Sequence, residues 1–385
     1  MGMGDIVVMT DHGSNEGSRP LLEAAVEILT GTRPVSIDAR HFMTGAHGRA
    51  IVERGTLTLS VPSEDLVVTP DVLVVYEIPP LERWRFEALQ RMLHSSGSRC
   101  WGANADAWCA ATDKQQTVVR FRRKGIPHMQ TIALSRQDPG TALDAFQRLG
   151  RDVWTRPRIG VGGQDVFHVT TSDQLHHARR HYAASGQDWL ISRDARNINH
   201  HGRRHQFRVV VLHDRVLRVC EHVQSDPDAP CNECRGAVST TIPVDDFPPA
   251  FAQLAISATR SLGLPFAGVD LAIEQGGVVF EVNVHPVIDV PGGLETLAIP
   301  IIQAHLSSRD RTLAPALDAP INPCSPPLRS DAADAPTPTP RRVPGTPRPS
   351  TQSPTSVSAT SALTSSPTPS ASIGRSRTNC TGSAM

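Results

Sequence analysis

The sequence predicts an α/β protein built from α+β lobes, with a parallel sheet at the N-terminus and a disordered C-terminal tail. Three observations lead to this prediction. Apolar runs typical of buried strands alternate with helical patterns in the first third of the chain. Short strands and hairpins then dominate as far as residue 284. No Phe, Trp or Tyr follows Phe280, and from Pro323 onward the composition of Pro, Ser, Thr, Ala and Arg cannot bury enough apolar surface to fold.

The N-terminal α/β domain is predicted over residues 1–110. Residues 5–9 and 71–76 have the pattern of buried strands. Between them, residues 19–30 place apolar side chains at helical spacing. Because a strand, a helix and a strand follow one another, we expect an open and mostly parallel sheet.

Further elements complete this domain and open the next one. A helix is predicted over residues 81–94, leading into residues 99–101. Another helix is predicted over residues 113–124, because Gly125 and Pro127 supply a stop signal directly after it.

The later elements divide the rest of the chain into a central lobe, a C-terminal lobe and the tail. From Val153 the pattern changes to short strands, which end in a hairpin that turns at His213 and Asp214. A helix and a second hairpin follow, and a last helix is predicted near residues 296–307. The predicted bounds are residues 111–190 for the central lobe, 191–310 for the C-terminal lobe and 311–385 for the tail.

The second hairpin, residues 267–286, carries three polar residues in an apolar setting. Asp270 lies on its first strand, and Glu281 and Asn283 lie two residues apart on its second, so they project to one face. Two carboxylates and an amide oxygen suit Mg²⁺, which substrate phosphates then help to coordinate. In the alternative, these residues merely face water. The metal site is favoured, because burying them inside VVFEVNV without a partner would be costly.

The motifs GVDL and FEVN of this hairpin resemble the magnesium-binding hairpin of the ATP-grasp superfamily. The resemblance is closest to its RimK-type ligases, which add amino acids such as glutamate to a protein or carrier terminus. Residues 111–131, with an acid–lysine pair that opens a helix and a GIP turn, are similar to the family's segment that ends the first domain. The resemblance covers about residues 5–307. It implies an ATP-grasp fold with an N-terminal pre-ATP-grasp domain that uses ATP and Mg²⁺, with Mn²⁺ as the alternative ion.

The resemblance also implies roles for individual residues. It implies nucleotide contacts at Lys114, Arg156, Gly160, Gly162, Gly163 and Asn232. Arg208 and Arg235 correspond to arginines near the reacting groups, and Asp270, Glu281 and Asn283 correspond to the metal ligands. The chain departs from the family at three positions. Arg156 replaces a lysine, Gln206 replaces an acid and Pro230 replaces an arginine.

The implied activity is an ATP- and Mg²⁺-dependent carboxylate–amine ligase that forms an amide bond through an acyl-phosphate. Its partners would be ATP, an amino acid, peptide or small-molecule carboxylate, and an amine acceptor. The alternative is a nucleotide-binding pseudoenzyme or regulatory module, in which the three departures mark lost turnover. The complete set of predicted metal ligands favours the ligase.

Charge and targeting signals set limits on location and partners. Lys and Arg together number 38, equal to Asp and Glu, so whole-chain charge predicts neither nucleic acid nor a membrane as partner. The arginine-rich stretch at residues 193–208 could form a nucleic-acid patch. Its position before the central hairpin favours an anionic-substrate role instead. The N-terminus lacks the pattern of a secretory signal, and no run reaches the length of a membrane span, so we expect a cytoplasmic protein.

Overall fold

Three parallel strands form a sheet near the N-terminus. In the computed structural model, which describes residues 5–135 and 140–307, β1 (Asp5–Thr10), β2 (Val35–Asp38) and β6 (Pro70–Val75) pair in the order β2-β1-β6. Helix α1 (Ser18–Thr30) packs on one face of this sheet. Successive side chains of β1 are buried, which explains its continuous apolar run. The predicted strands at residues 5–9 and 71–76 and the helix at 19–30 are confirmed.

A small antiparallel sheet lies between β2 and β6 in the chain and was not predicted. It consists of β3 (Arg49–Glu53), β4 (Thr56–Val61) and β5 (Leu66–Val68) in the order β3-β4-β5. Leu57, Leu59 and Val61 point into the core, and the residues between them are more exposed. This alternation is the signal that could have identified β4.

The segment after β6 differs from its prediction in one respect. The helix predicted over residues 81–94 is a 3₁₀ turn (Arg83–Phe86) followed by α2 (Glu87–Leu93). At residues 99–101, Arg99 forms an isolated parallel bridge with Val72 of β6 before the chain turns at Gly102, whose φ is 87°.

Two helices then lead to the central lobe. Helix α3 (Ala105–Thr112) is followed directly by α4 (Lys114–Lys124), which confirms the helix predicted over residues 113–124. The Asp113 side chain caps α4 by accepting hydrogen bonds from the amides of Gln115 and Gln116. Gly125 ends α4 in the left-handed conformation, with a φ of 67°. The caps set the first residue of α4 at a fixed position.

The central sheet contains four antiparallel strands. They are β7 (Thr131–Leu134), β8 (Val153–Pro157), β9 (Phe167–Val169) and β10 (Trp189–Arg193), in the order β7-β10-β8-β9. Helices α5 (Gly140–Arg148) and α6 (Ser172–Ala184), which were not predicted, share a core with this sheet. Phe146, Tyr182 and Trp189 are the largest side chains of that core. The predicted short strands in this region are confirmed.

Helix α6 begins with a capping box formed by Thr171 and Gln174. The Thr171 hydroxyl accepts from the Gln174 amide, and the Gln174 side chain accepts from the Thr171 amide. We expect Thr171→Ala to lower the free energy of unfolding by about 1 kcal/mol. Chemical denaturation measures this change. The control Ser172→Ala, one position later on the exposed helix surface, should have no comparable effect. Equal effects of the two variants would contradict the assigned cap.

The C-terminal sheet contains five antiparallel strands, and its central hairpin was predicted. The strands are β11 (Arg204–Leu212), β12 (Arg215–Gln224), β13 (Val238–Ile242), β14 (Phe266–Ala272) and β15 (Val278–Asn283), in the order β13-β12-β11-β14-β15. Helix α7 (Pro249–Ser261) packs beneath them. The apolar face of this sheet joins the core that contains Trp108 and Phe121 from α3 and α4, so helices and sheet support one another.

The last described elements are a π-helical turn (Leu294–Ala298) and α8 (Ile299–Ser307), which pack on α1. The helix predicted near residues 296–307 is therefore confirmed for its larger part. No helix in the described residues is long and apolar enough to cross a membrane. The predicted tail, residues 311–385, lies outside the described residues. The lobe boundaries at residues 110, 190 and 310 remain predictions.

Candidate active site

A cleft lies where α4, the central sheet and the C-terminal sheet meet. Its walls come from the start of α4, the end of β8, the glycine-containing loop after β8, and strands β11, β14 and β15. It is lined by all the residues predicted for nucleotide and metal binding, namely Lys114, Arg156, Gly160, Gly162, Gly163, Asn232, Asp270, Glu281 and Asn283. Of the two predicted catalytic residues, Arg208 lines the cleft and Arg235 is not part of its lining. The fold thus gathers side chains that are up to 169 positions apart in the sequence.

The hairpin of β14 and β15 brings the three predicted metal ligands together. Asp270 pairs with Glu281 and Gly268 pairs with Asn283, so the three side chains share one face. The Asn283 amide nitrogen lies 3.4 Å from Asp270 Oδ2. Asn283 Oδ1 and Glu281 Oε2 have no hydrogen-bond partner within the described part of the chain. Two carboxylates and an available amide oxygen form a donor set that fits a hard divalent cation.

A β-bulge interrupts this hairpin next to the acids. Leu271 pairs with Val279, so Phe280 is an extra residue without a counterpart on β14. The Phe280 carbonyl accepts a hydrogen bond from Arg156 Nη1 at 3.0 Å. The bulge therefore connects the acid-bearing strand with β8 of the central sheet.

Arg208 of β11 binds Asp270 through two parallel hydrogen bonds. Nε donates to Oδ1 at 2.7 Å and Nη2 donates to Oδ2 at 2.8 Å. Burial alone would lower the pKa of Arg208, but the Asp270 carboxylate raises that pKa above its ordinary value. The guanidinium therefore stays charged at the centre of the cleft.

Lys114, the first residue of α4, joins two walls of the cleft. Its Nζ lies 3.1 Å from Glu281 Oε1 and donates to the Gly160 carbonyl at 3.2 Å. The residue is only 7% exposed, so its ammonium is held among protein atoms. Arg158 binds the capping residue Asp113 at 2.8 and 2.5 Å, which ties the start of α4 to the end of β8.

Arg156 contributes a second cation from β8. Its Nη1 donates to the Phe280 carbonyl, whereas its Nε is buried and has no hydrogen-bond partner in the described residues. Burial lowers the pKa of Arg156, while the Glu281 carboxylate acts in the opposite direction. A buried donor without an acceptor is costly, which indicates that an anionic ligand completes this part of the cleft.

The glycine-containing loop after β8 closes the cleft against the segment that follows β12. Gly163 has a φ of 69°, and a side chain there would meet Pro230 at 3.2 Å. The Gly163 carbonyl accepts from Arg235 Nε at 3.2 Å. Asn232 uses its side-chain oxygen locally, to accept from the Cys234 amide. Arg235 thus holds the loop, although it was predicted beside the reacting groups.

The structure adds residues that the sequence analysis did not single out. Arg83, from the 3₁₀ turn of the N-terminal region, and Trp154 of β8 both line the cleft. Arg204 lies 4.9 Å above the Trp154 ring and binds Asp194 at 2.8 Å. Arg204 and Arg208 therefore face internal acids, which argues against reading the arginine-rich stretch as a free basic surface. No sequence pattern pointed to Arg83, because its orientation depends in part on Thr112, 29 residues later.

Comparison with known proteins gives a family match for the part of the chain that builds the cleft. Residues 112–298 match the family model described as a RimK-like ATP-grasp domain. A curated relative, the "Probable alpha-L-glutamate ligase" of Haemophilus influenzae (strain PittEE), is 26% identical over 166 residues. These residues are 43% of this chain and 47% of the relative. The chain therefore spans about half the length of that relative.

Solved structures of ATP-grasp ligases share the fold. The ATP-grasp ligase PsnB, complexed with a minimal precursor, Mg and ADP, gives a TM-score of 0.55 at 14% identity, covering 78% of this chain and 97% of PsnB. The D-alanine–D-alanine ligase of Bacillus anthracis, complexed with ATP, gives 0.54 at 15% identity, covering 78% of this chain and 91% of that chain. The predicted fold class is confirmed.

Proposed function

We propose that this chain is an ATP- and Mg²⁺-dependent ligase that joins a carboxylate to an amine. The match of residues 112–298 to the model of a RimK-like ATP-grasp domain supports this proposal. One observation carries the proposal. In the cleft, each of the two acids proposed as metal ligands contacts a cation. Lys114 contacts Glu281, and Arg208 contacts Asp270. Such an arrangement suits a bound triphosphate with its metal, because each acid and each cation then gains a partner of opposite charge.

The reaction proceeds in two steps. A carboxylate oxygen of the acid substrate attacks the γ-phosphorus of ATP, the bond to the β,γ-bridging oxygen breaks, and ADP leaves. The amine then attacks the acyl carbon of the resulting acyl-phosphate, an amide bond forms, phosphate leaves and the nitrogen releases a proton. Neither step needs a covalent enzyme nucleophile, so rate enhancement comes from positioning and from charge stabilisation.

The residues of the cleft divide these tasks. Lys114, Arg156 and the amides of the glycine-containing loop hold the phosphates, and Arg208 stabilises the phosphoryl group as it transfers. Asp270, Glu281 and Asn283 would hold the metal ion. Mg²⁺, or Mn²⁺ in its place, supplies charge neutralisation for the phosphates when bound.

The acceptor is proposed to be an amino acid or a peptide. The curated relative carries the name of a probable glutamate ligase, and PsnB was solved with a minimal precursor. L-Glutamate is therefore the first amino acid to test, followed by peptides. The departures at Arg156, Gln206 and Pro230 all line the cleft, so they adjust how the nucleotide is held.

Titration calorimetry with MgATP tests the proposal. We expect binding that depends on magnesium and that is weakened by at least about tenfold in Asn283→Ala. Removing a residue that only hydrogen-bonds to a metal ligand already lowers metal affinity by about tenfold or more. Gln253→Ala, an amide on the exposed side of α7, serves as the control. Acceptor-dependent phosphate release then completes the test. Absence of MgATP binding would refute the ligase, and binding without any such release would favour the pseudoenzyme.

A further inference from the structure

Arg83 presents a cation to the cleft from the N-terminal region, on a wall that the family match does not include. It is the first residue of the 3₁₀ turn Arg83–Phe86. Its Nε donates to the Ile78 carbonyl at 3.0 Å, and its Nη1 donates to the Thr112 hydroxyl at 2.9 Å. Both acceptors are neutral, so they fix the orientation of the guanidinium without neutralising its charge.

No acidic side chain forms an ion pair with Arg83 within residues 5–135 and 140–307. Burial lowers the pKa of Arg83 to about 10, while the more distant carboxylates of Glu16 and Glu281 act in the opposite direction. A partly buried cation that no acidic side chain contacts is destabilising, unless a ligand supplies the missing charge. Arg83 therefore marks a place for an anion.

The other cations of the cleft differ from Arg83 in their partners or in their position. Lys114, Arg204 and Arg208 each contact an acid, at 3.1, 2.8 and 2.7 Å. Arg156 has no acidic partner in the described residues, but it lies on β8 beside the glycine-containing loop, on the wall proposed for the nucleotide. Arg83 is on a different wall, where its charge interacts with Glu281. A second anion, separate from the body of ATP, fits this position.

We propose that Arg83 forms the subsite for the acid substrate, binding its carboxylate and then the phosphoryl group transferred to it. This inference rests on the proposed ligase function, which requires a carboxylate to approach the γ-phosphate of ATP. Two anions repel each other, so a fixed cation beside the carboxylate favours their approach.

The geometry of Arg83 fits a carboxylic acid. A guanidinium has about five N–H donors, of which the Ile78 and Thr112 contacts use two. The remaining donors are on Nη1 and Nη2, the pair that binds a carboxylate or phosphate through two parallel hydrogen bonds.

Inorganic phosphate is the probe for this subsite, because it corresponds to the group that leaves the acyl-phosphate. Phosphate is titrated into the full chain saturated with MgADP, and its affinity is measured by calorimetry. We expect Arg83→Gln to weaken phosphate binding by about 10- to 30-fold. Arg83→Lys should lose part of the phosphate affinity, because lysine keeps the charge but lacks the planar pair of N–H donors. The affinity for MgADP should stay within about twofold of the unmodified value, because Arg83 lies off the nucleotide wall.

Arg85→Gln is the matched control, since Arg85 lies on the same 3₁₀ turn and pairs with Glu82 at 2.9 Å. It should bind phosphate like the unmodified protein. Equal phosphate affinity in all variants, or no phosphate binding to the MgADP complex, would overturn the subsite and leave the nucleotide site intact. Absence of MgADP binding would instead refute the proposed function itself. If Arg83→Gln does not fold, the Arg83→Lys comparison decides.

Discussion

The Arg208→Met variant is expected to lose acceptor-dependent phosphate release by about 1,000-fold, the scale set by other cations that stabilise a transferring phosphoryl group. The guanidinium of Arg208 lies at the centre of the cleft, where it is held by Asp270 at 2.7 and 2.8 Å. Methionine has similar reach but no charge and no hydrogen-bond donor. Single-turnover measurement of phosphate release separates this loss from any change in product release.

The variant should also change how metal affects stability. The Asp270 side chain is only 8% exposed, and Arg208→Met removes its counter-ion. The free energy of unfolding of the metal-free variant should therefore be lower. Added Mg²⁺ should then stabilise it more than it stabilises the unmodified protein. Arg215→Met, on the exposed end of the same hairpin, is the control and should behave like the unmodified protein. Unchanged turnover in Arg208→Met would remove Arg208 from the catalytic set.

The Lys114→Met variant is expected to weaken MgATP binding by about 100-fold, equivalent to about 3 kcal/mol for the loss of one buried charged partner. The ammonium lies between Glu281 and the Gly160 carbonyl, so it can reach the phosphates on the metal-binding side. The substitution also removes the cation that contacts the Glu281 carboxylate. Calorimetric titration with MgATP measures the effect directly.

Lys124→Met is the matched control, because Lys124 is the other lysine of the chain and is the last residue of the same helix. Lys124 is exposed and far from the cleft along α4, so Lys124→Met should bind MgATP like the unmodified protein. If both variants bound equally well, Lys114 would be a structural residue that only ties α4 to β15. Circular dichroism of both variants checks that α4 is intact.

The hairpin of β14 and β15 could be predicted because its sequence pattern is local. Asp270, Glu281 and Asn283 lie within one hairpin, and the period of two residues along a strand fixes which side chains share a face. Helix α4 was predicted for a similar reason, since Gly125 stands directly after its last turn. Whether the three residues bind a metal remains a prediction.

Other elements were missed although their signals were present. The sequence Thr171–Gln174 is a capping box at the start of α6, and β4 alternates apolar and polar residues. Strand β5 has three residues, too few for any period to be recognised. Arg83 illustrates a different limit, because its position in the cleft depends on contacts with Ile78 and with Thr112, 29 residues later. Such contacts leave no local pattern.

Insertions and deletions in β15 would affect metal and nucleotide binding separately. Because Phe280 faces no residue of β14, deleting it would restore a continuous ladder while the two acids stayed opposite each other. The apolar packing under the hairpin would be kept. Arg156, however, would lose the carbonyl that now holds its guanidinium. A variant one residue shorter at this point would keep the two acids opposite each other and would need a different partner for Arg156, so at the bulge the acidic pair and the Arg156 contact can change independently.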